Sequence, residues 1–231
     1  MTHEEKMAYF DAHPGNAPAY ALSRVTPGSE APFAGKHLLF LGSSVTLGYA
    51  SREVSMADYL ARTCGCEITK EAVSGTTLAD LRDDSYVARL LRLDPAVRYD
   101  AVICQLSTND ATKKLPMGEI LSEGEDFDRK TILGATEFIL AYVRDTFHCP
   151  VIFYTGTRYP SPEYEAMVAA LLRLQAKWGF HIIDQWNDQP LNDITDEDRA
   201  LYMADWIHPT QAGYLHWWLP KFRSDLAIYL S

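Results

Sequence analysis

The chain has 231 residues, 47% hydrophobic and 23% charged, with a formal net charge of −10. That supplies one sizeable core or at most two small ones, and argues against disorder over most of the length. The acidic balance and the lack of a Lys/Arg cluster argue against a nucleic-acid binder, and no stretch reaches the roughly 18 apolar residues that span a bilayer.

The first residues, "MTHEEKMAYFDAHPGNAP", lack the apolar centre of a secretory signal, so the expected location is cytoplasmic. Residues 1–35 read as an N-terminal arm, rich in Pro, Ala and Gly from residue 11 onward. "KHLLFLG" (36–42) is apolar and stops at Gly42, as a buried strand does. "EVSMADYLARTCG" (53–65) has helical spacing and ends at Gly65. "CEITKEAV" (66–73) alternates like an outer strand, and "TLADLRDDSYVARLLRL" (77–93) repeats Leu at turn spacing.

"YDAVICQLS" (99–107) is a second buried strand. Residues 112–130 are polar and contain Gly, which predicts a long loop; its acidic part, 117–128, is expected to be a solvated face, in a position after the third strand that would let it border the site. Then come a helix over 131–147, a strand over 149–157, a helix over 161–179 and a strand over 180–186. The last helix spans 209–230, bent or broken at Pro220. Cys104 and Cys149 fit as small core hydrophobes; Cys64 and Cys66 are too close for an ordinary disulfide, and no second pair completes a zinc site. No metal is expected.

Five strands separated by helices predict an α/β fold: one doubly wound domain over 1–231, with a parallel sheet covered on both faces. Such sheets bind ligands at the carboxyl ends of their strands. Three polar segments fall there: Gly42–Thr46, Ser74–Thr76 and Ser107–Asp110.

The phosphate-binding Walker pattern fails, because Gly42 and Gly48 lie one residue too far apart and Tyr49 stands where Lys belongs. The nucleophile elbow G-x-S-x-G fails too, because position 46 is Thr. A serine nucleophile needs a base, and the base needs an orienting carboxylate. Of seven histidines, His3 and His13 lie in the arm, His37, His148 and His181 begin strands at the opposite edge, and His216 sits inside the last helix. His208 stands in a loop just before that helix, three residues after Asp205.

These residues resemble the blocks of the SGNH hydrolases, the GDSL-type esterases and lipases. Gly42-Ser43-Ser44-Val45-Thr46 matches the first block, "AVSGTTL" the second through Gly75, "LSTND" the third through Asn109-Asp110, and Asp205-x-x-His208 the last. The resemblance implies a flavodoxin-like five-stranded sheet in a three-layer α/β/α sandwich, and hydrolysis of a small or medium acyl ester without cofactor. A carbohydrate O-acetyl ester falls within that range. It implies Ser44 as nucleophile, His208 as base and Asp205 as its orienting carboxylate. It further implies an oxyanion hole of Ser44, Gly75 and Asn109, supported by Asp110 and Ser43. Two positions depart from the family: Ser43 replaces Asp, and Ser107 replaces a glycine. If that glycine's positive φ is needed, Ser107 shifts the loop carrying Asn109. A non-catalytic module of the same fold, or a phosphate binder using the Gly42–Gly48 loop, are the competing functions. The plain structural roles are a helix cap for Ser44, a tight turn for Gly75 and a turn pair for Asn109-Asp110.

Overall fold

The computed structural model describes residues 2–121 and 126–231, so residues 122–125 of the acidic loop lie outside the described residues. The chain runs α1 (His3–Asp11), β1 (His37–Gly42), α2 (Ser44–Leu47), α3 (Met56–Cys64), β2 (Glu67–Ala72), α4 (Tyr86–Leu90), β3 (Ala101–Gln105) and α5 (Thr108–Thr112). It continues through α6 (Ile132–Thr146), β4 (Val151–Tyr154), α7 (Pro162–Trp178), β5 (His181–Ile183), α8 (Gln189–Asn192), α9 (Asp196–Tyr202) and α10 (Leu219–Tyr229). The strands form a five-stranded sheet in the order β2-β1-β3-β4-β5, parallel at every pairing. This is the expected flavodoxin-like sheet, covered by helices on both faces.

Strand geometry turns alternate side chains to opposite faces, and the sequence fills both with apolar groups. Leu39, Leu41, Val102, Cys104, Val151 and Phe153 face one core, with side chains of α4, α6 and α7. Leu38, Phe40, Ala101, Ile103, Ile152 and Tyr154 face the other, with α3 and α10. Among the described residues no helix is long and apolar enough to cross a membrane.

Several sequence-based boundaries move, each for a local reason. Of the helix expected over 77–93, Tyr86–Leu90 is α-helical. Upstream the chain makes turns instead: the Leu81 N–H bonds the Ala79 carbonyl and the Ser85 N–H the Arg82 carbonyl, while the N–H groups of Leu78 and Ala79 go to the Asp110 carboxylate and that of Asp80 to the Arg129 carbonyl. The helix expected from 53 starts at Met56, where Ser55 and Asp58 form a capping box. The last helix is not broken at Pro220. A π-helical stretch, Gly213–Trp218, leads into α10, and Pro220 falls in the first turn of α10, where a missing N–H costs little.

The expected arm holds a helix. α1 carries a Thr2–Glu5 capping box, and its Phe10 packs against Ala50 and Ala204. Buried Asn16 ties it down: its Nδ2 donates to the Phe10 and Ala50 carbonyls at 2.7 Å, and its Oδ1 accepts the Gln211 N–H. The described ends of the acidic loop attach to α6 and α7, with the Leu121 N–H on Glu137 and Phe127 6.0 Å from the Trp178 ring.

At the end of β1, Gly42 is required by a close approach. A Cβ there would lie 1.7 Å from Thr46 Oγ1 and 2.8 Å from Gln105 Oε1. Gly42→Ala is therefore expected to destabilise the protein by about 1–3 kcal/mol through overpacking, read as a lowered urea midpoint. An unchanged midpoint would show that the turn relaxes freely.

Candidate active site

The turn after β1 is built from backbone and buried polar side chains. Ser43 occupies the N-cap position of α2 and Ser44 the first helical position. Gln105, at the carboxyl end of β3, holds the turn. Its Oε1 accepts the Ser43 N–H at 2.9 Å, the Thr46 hydroxyl at 2.8 Å, and the Ser43 hydroxyl and Thr46 N–H at 3.3 Å. Buried Tyr214 donates its hydroxyl to the Val45 carbonyl at 2.6 Å. Buried side chains on two other elements thus fix Ser44.

His208 and Asp205 come from the loop between α9 and the last helical segment. Asp205 Oδ1 accepts the backbone N–H groups of Ile207 and His208, both at 2.8 Å. Its carboxylate also meets His208 Nδ1, at 2.9 Å from Oδ1 and 2.8 Å from Oδ2. The opposite ring nitrogen, Nε2, lies 2.8 Å from Ser44 Oγ. A carboxylate at Nδ1 requires Nδ1–H, which leaves Nε2 as the acceptor for the Ser44 hydroxyl. Burial alone would raise the Asp205 pKa. The hydrogen bond and charge of His208, with the two backbone N–H groups, outweigh it and pull the value down to about 2.

The loops after β2 and β3 neighbour the Ser44 turn: the Val73 N–H donates to the Gly42 carbonyl at 3.3 Å, and Gln105 at the end of β3 bonds Ser43. Gly75 has φ +81°, which explains the glycine, and an added Cβ would meet nothing within 4 Å. The backbone N–H groups of Ser44 and Gly75 donate to no acceptor among the described residues. Asn109 Nδ2 donates to the Thr76 carbonyl at 2.9 Å, which uses one of its two hydrogens. Asp110 is fully buried and accepts the N–H groups of Leu78 and Ala79 at 2.9 and 3.0 Å, so it ties the Gly75 loop to the Asn109 loop. Burial raises its pKa, although Ser107 and those N–H groups act in the other direction. The expected distortion at Ser107 does not occur: its φ is −71°, which any residue adopts.

Sequence reasoning missed three supports. Arg89 reads as the polar face of a helix, yet it is 3% exposed. Its Nη2 donates to the Gly42 carbonyl at 2.7 Å and to Thr76 Oγ1 at 3.2 Å, while its Nη1 donates to the Glu71 carbonyl at 2.7 Å. Gln105 carried a signal, a polar residue closing a buried strand. Tyr49 carried none; its ring lies 5.6 Å from the His208 ring and is backed by Phe10 of α1 at 5.8 Å. Among the described residues, no group of three or more His, Cys, Asp or Glu side chains is placed to hold a metal ion.

With Ser44, His208, Gly75 and Asn109 at one rim of this sheet, comparison with known proteins becomes specific. The sequence model of the GDSL-like Lipase/Acylhydrolase family matches residues 40–215, and the chain belongs to that family. It is a hydrolase of the lipase and esterase type. No curated protein matches the chain. Among solved structures, a protein from Lactobacillus plantarum superposes with a TM-score of 0.69 at 21% identity, covering 85% of this chain and 98% of its own. A structure described as a GDSL-like lipase from Bacteroides uniformis superposes with a TM-score of 0.61 at 17% identity, covering 82% of this chain and 95% of its own. At these identities the likeness is one of fold.

The depressed Asp205 pKa has a signed consequence. A carboxyl held at about 2 when folded, against about 3.9 unfolded, stabilises the fold above pH 4 and loses that contribution as pH falls toward 2. The stability gap between the wild type and Asp205→Asn is therefore expected to shrink between pH 5 and pH 2.5, read from urea midpoints. A gap of constant size would contradict the pairing.

Proposed function

We propose that the chain hydrolyses a carboxylic ester through Ser44, His208 and Asp205. The observation that carries this is the 2.8 Å contact of Ser44 Oγ with His208 Nε2, on a ring whose Nδ1 is held by Asp205. Ser44 Oγ attacks the ester carbonyl while Nε2 takes its proton. The carbonyl oxygen gains the negative charge and meets the free N–H groups of Ser44 and Gly75 and the second amide hydrogen of Asn109. One such donor contributes about 3–4 kcal/mol to lowering the barrier. The tetrahedral centre collapses, the bond to the alcohol oxygen breaks, and Nε2 returns the proton to that oxygen. Water then attacks the acyl-enzyme, losing its proton to Nε2. Collapse releases the carboxylic acid and restores the Ser44 hydroxyl. Asp205 holds the ring and stabilises its protonated form.

A small cavity of about 10 Å³ lies behind residues next to the site. Val45, Thr108 and Ile207 line it, and they neighbour Ser44, Asn109 and His208 in sequence. Three of its other lining residues carry buried groups without a partner: Gln105 Nε2, Tyr159 OH and Trp218 Nε1. That is room for about one water-sized group. Those three polar groups suit a water, and the small acyl group, with an O-acetylated carbohydrate among the candidates, rests on the family membership.

Turnover of p-nitrophenyl acetate tests the assignment. Ser44→Ala and His208→Ala are each expected to cut kcat by at least about 10³-fold, and Asp205→Asn by roughly 10³- to 10⁴-fold. Turnover that survives Ser44→Ala would refute the assignment. Among p-nitrophenyl esters, the acetate is expected to exceed the octanoate in kcat/KM by about tenfold or more. A preference for octanoate would contradict the small-acyl reading.

A further inference from the structure

The Gly75 N–H, one of the oxyanion donors named above, sits on an exposed turn. Val73, Ser74 and Gly75 are exposed, whereas Thr76 and Thr77 beside them are buried. The Thr76 N–H bonds the Val73 carbonyl at 3.4 Å, which closes a β-turn over 73–76. Gly75, its third residue, has φ +81°, and Ser74 is not among the residues of positive φ. That is the type II form. Its central peptide, Ser74–Gly75, is rotated by about half a turn from the type I orientation, so one turn can present the Gly75 N–H or face it away. Glycine has the backbone freedom to make that rotation.

The Thr76 end of the turn is tied to its surroundings. The Thr76 hydroxyl donates to the Val73 carbonyl at 2.7 Å and accepts from Arg89 Nη2 at 3.2 Å, and Asn109 Nδ2 holds the Thr76 carbonyl at 2.9 Å. The outer pair, Ser74 and Gly75, has one side-chain tie among the described residues. Lys113 Nζ donates to the Gly75 carbonyl at 2.9 Å.

Lys113 stands at the C-cap of α5, four residues after Asn109. Side chains at i and i+4 share one helix face. That face therefore grips two successive carbonyls, Thr76 through Asn109 and Gly75 through Lys113. Asp110, between them in sequence, takes the N–H groups of Leu78 and Ala79. The end of α5 is itself fixed: Lys114 has φ +52° directly after it, and the Leu115 N–H returns to the Asp110 carbonyl at 3.0 Å. Lys113 is thus an exposed side chain on a fixed base, with its ammonium set on backbone of the site.

We propose that Lys113 is a positioning residue for the oxyanion hole. It acts through Gly75: the ammonium anchors the Gly75 carbonyl and so holds the turn in the form that presents the Gly75 N–H to the oxyanion. The benefit falls on the transition state, because the ester carbonyl gains its full negative charge only there. This role rests on the Ser44 hydrolase reading.

Hydrolysis of p-nitrophenyl acetate by Lys113→Met and Lys113→Arg, with Lys113→Met also placed in a Gly75→Ala background, tests the proposal. Lys113→Met is expected to lower kcat about three- to tenfold with KM within about twofold, the pattern of a group that serves the transition state. Lys113→Arg keeps a cationic donor and is expected to recover most of the loss. Because Lys113 works through Gly75, adding Lys113→Met to Gly75→Ala is expected to cost less than about twofold. The urea midpoint of Lys113→Met should match that of the wild type, as for an exposed side chain. Four results would overturn the role and leave the Ser44 chemistry standing: a kcat indifferent to Lys113→Met, a loss confined to KM, a loss that arginine does not recover, or equal losses in the two backgrounds. A loss that tracks a lowered urea midpoint would overturn it as well. No turnover by the wild type overturns the Ser44 reading and this role with it.

Discussion

One hydrogen bond, between Ser44 Oγ and His208 Nε2, joins residues 164 positions apart in the chain, and the geometry of the site depends on it. The topology makes the contact difficult. Ser44 follows β1 inside the sheet, whereas the chain reaches His208 after β5, at the sheet's edge. α8 and α9 must carry the backbone back across the rim. Their return is pinned by backbone pairing: Met203 bridges Pro209, the Ala204 N–H bonds the His208 carbonyl at 2.9 Å, and the Thr210 N–H bonds the Tyr202 carbonyl at 2.8 Å. The imidazole is therefore placed before any substrate arrives, which is where the advantage of a preorganised site lies.

Buried polar groups do the same for the Ser44 side. Arg89, Gln105 and Asp110 are nearly or fully buried, and each would be costly without partners. Each is partnered mainly by backbone of the site loops. Arg89 links the carbonyls of Gly42 and Glu71, Gln105 gathers the turn of Ser43 and Thr46, and Asp110 links the loop of Leu78 to its own helix. The loops are thus held through other backbone groups, while the N–H groups of Ser44 and Gly75 have no acceptor among the described residues. This also explains why Ser107 is tolerated. The loop conformation is set by Asp110 and by the Asn109–Thr76 contact, not by a positive φ at that position.

What the sequence revealed follows from what is local. β1, β3, β4 and β5 were legible as apolar runs closed by turns because both sheet faces are covered, whereas the half-buried edge strand β2 was legible through its alternation. Gly42, Ser44, Gly75, Asn109, Asp205 and His208 were legible because they fall at strand ends or in a short i, i+3 pair. The missed features depend on tertiary contact. Residues 77–85 have helical spacing, but distant partners, Asp110 for Leu78 and Ala79 and the Arg129 carbonyl for Asp80, draw the segment into turns. Arg89 lies on a helix whose buried face is fixed only by the fold. α1 has little amphipathic pattern, and its place beside Tyr49 comes from Phe10 and the buried Asn16.

The central claim is that the Ser44 hydroxyl is the activated group at this rim. Covalent labelling of the wild-type protein with a fluorophosphonate, mapped by peptide mass spectrometry, tests it most directly. The geometry predicts one adduct, on Ser44, that forms far more slowly in His208→Ala. An adduct on a different side chain, or none in a protein that still turns over esters, would contradict it.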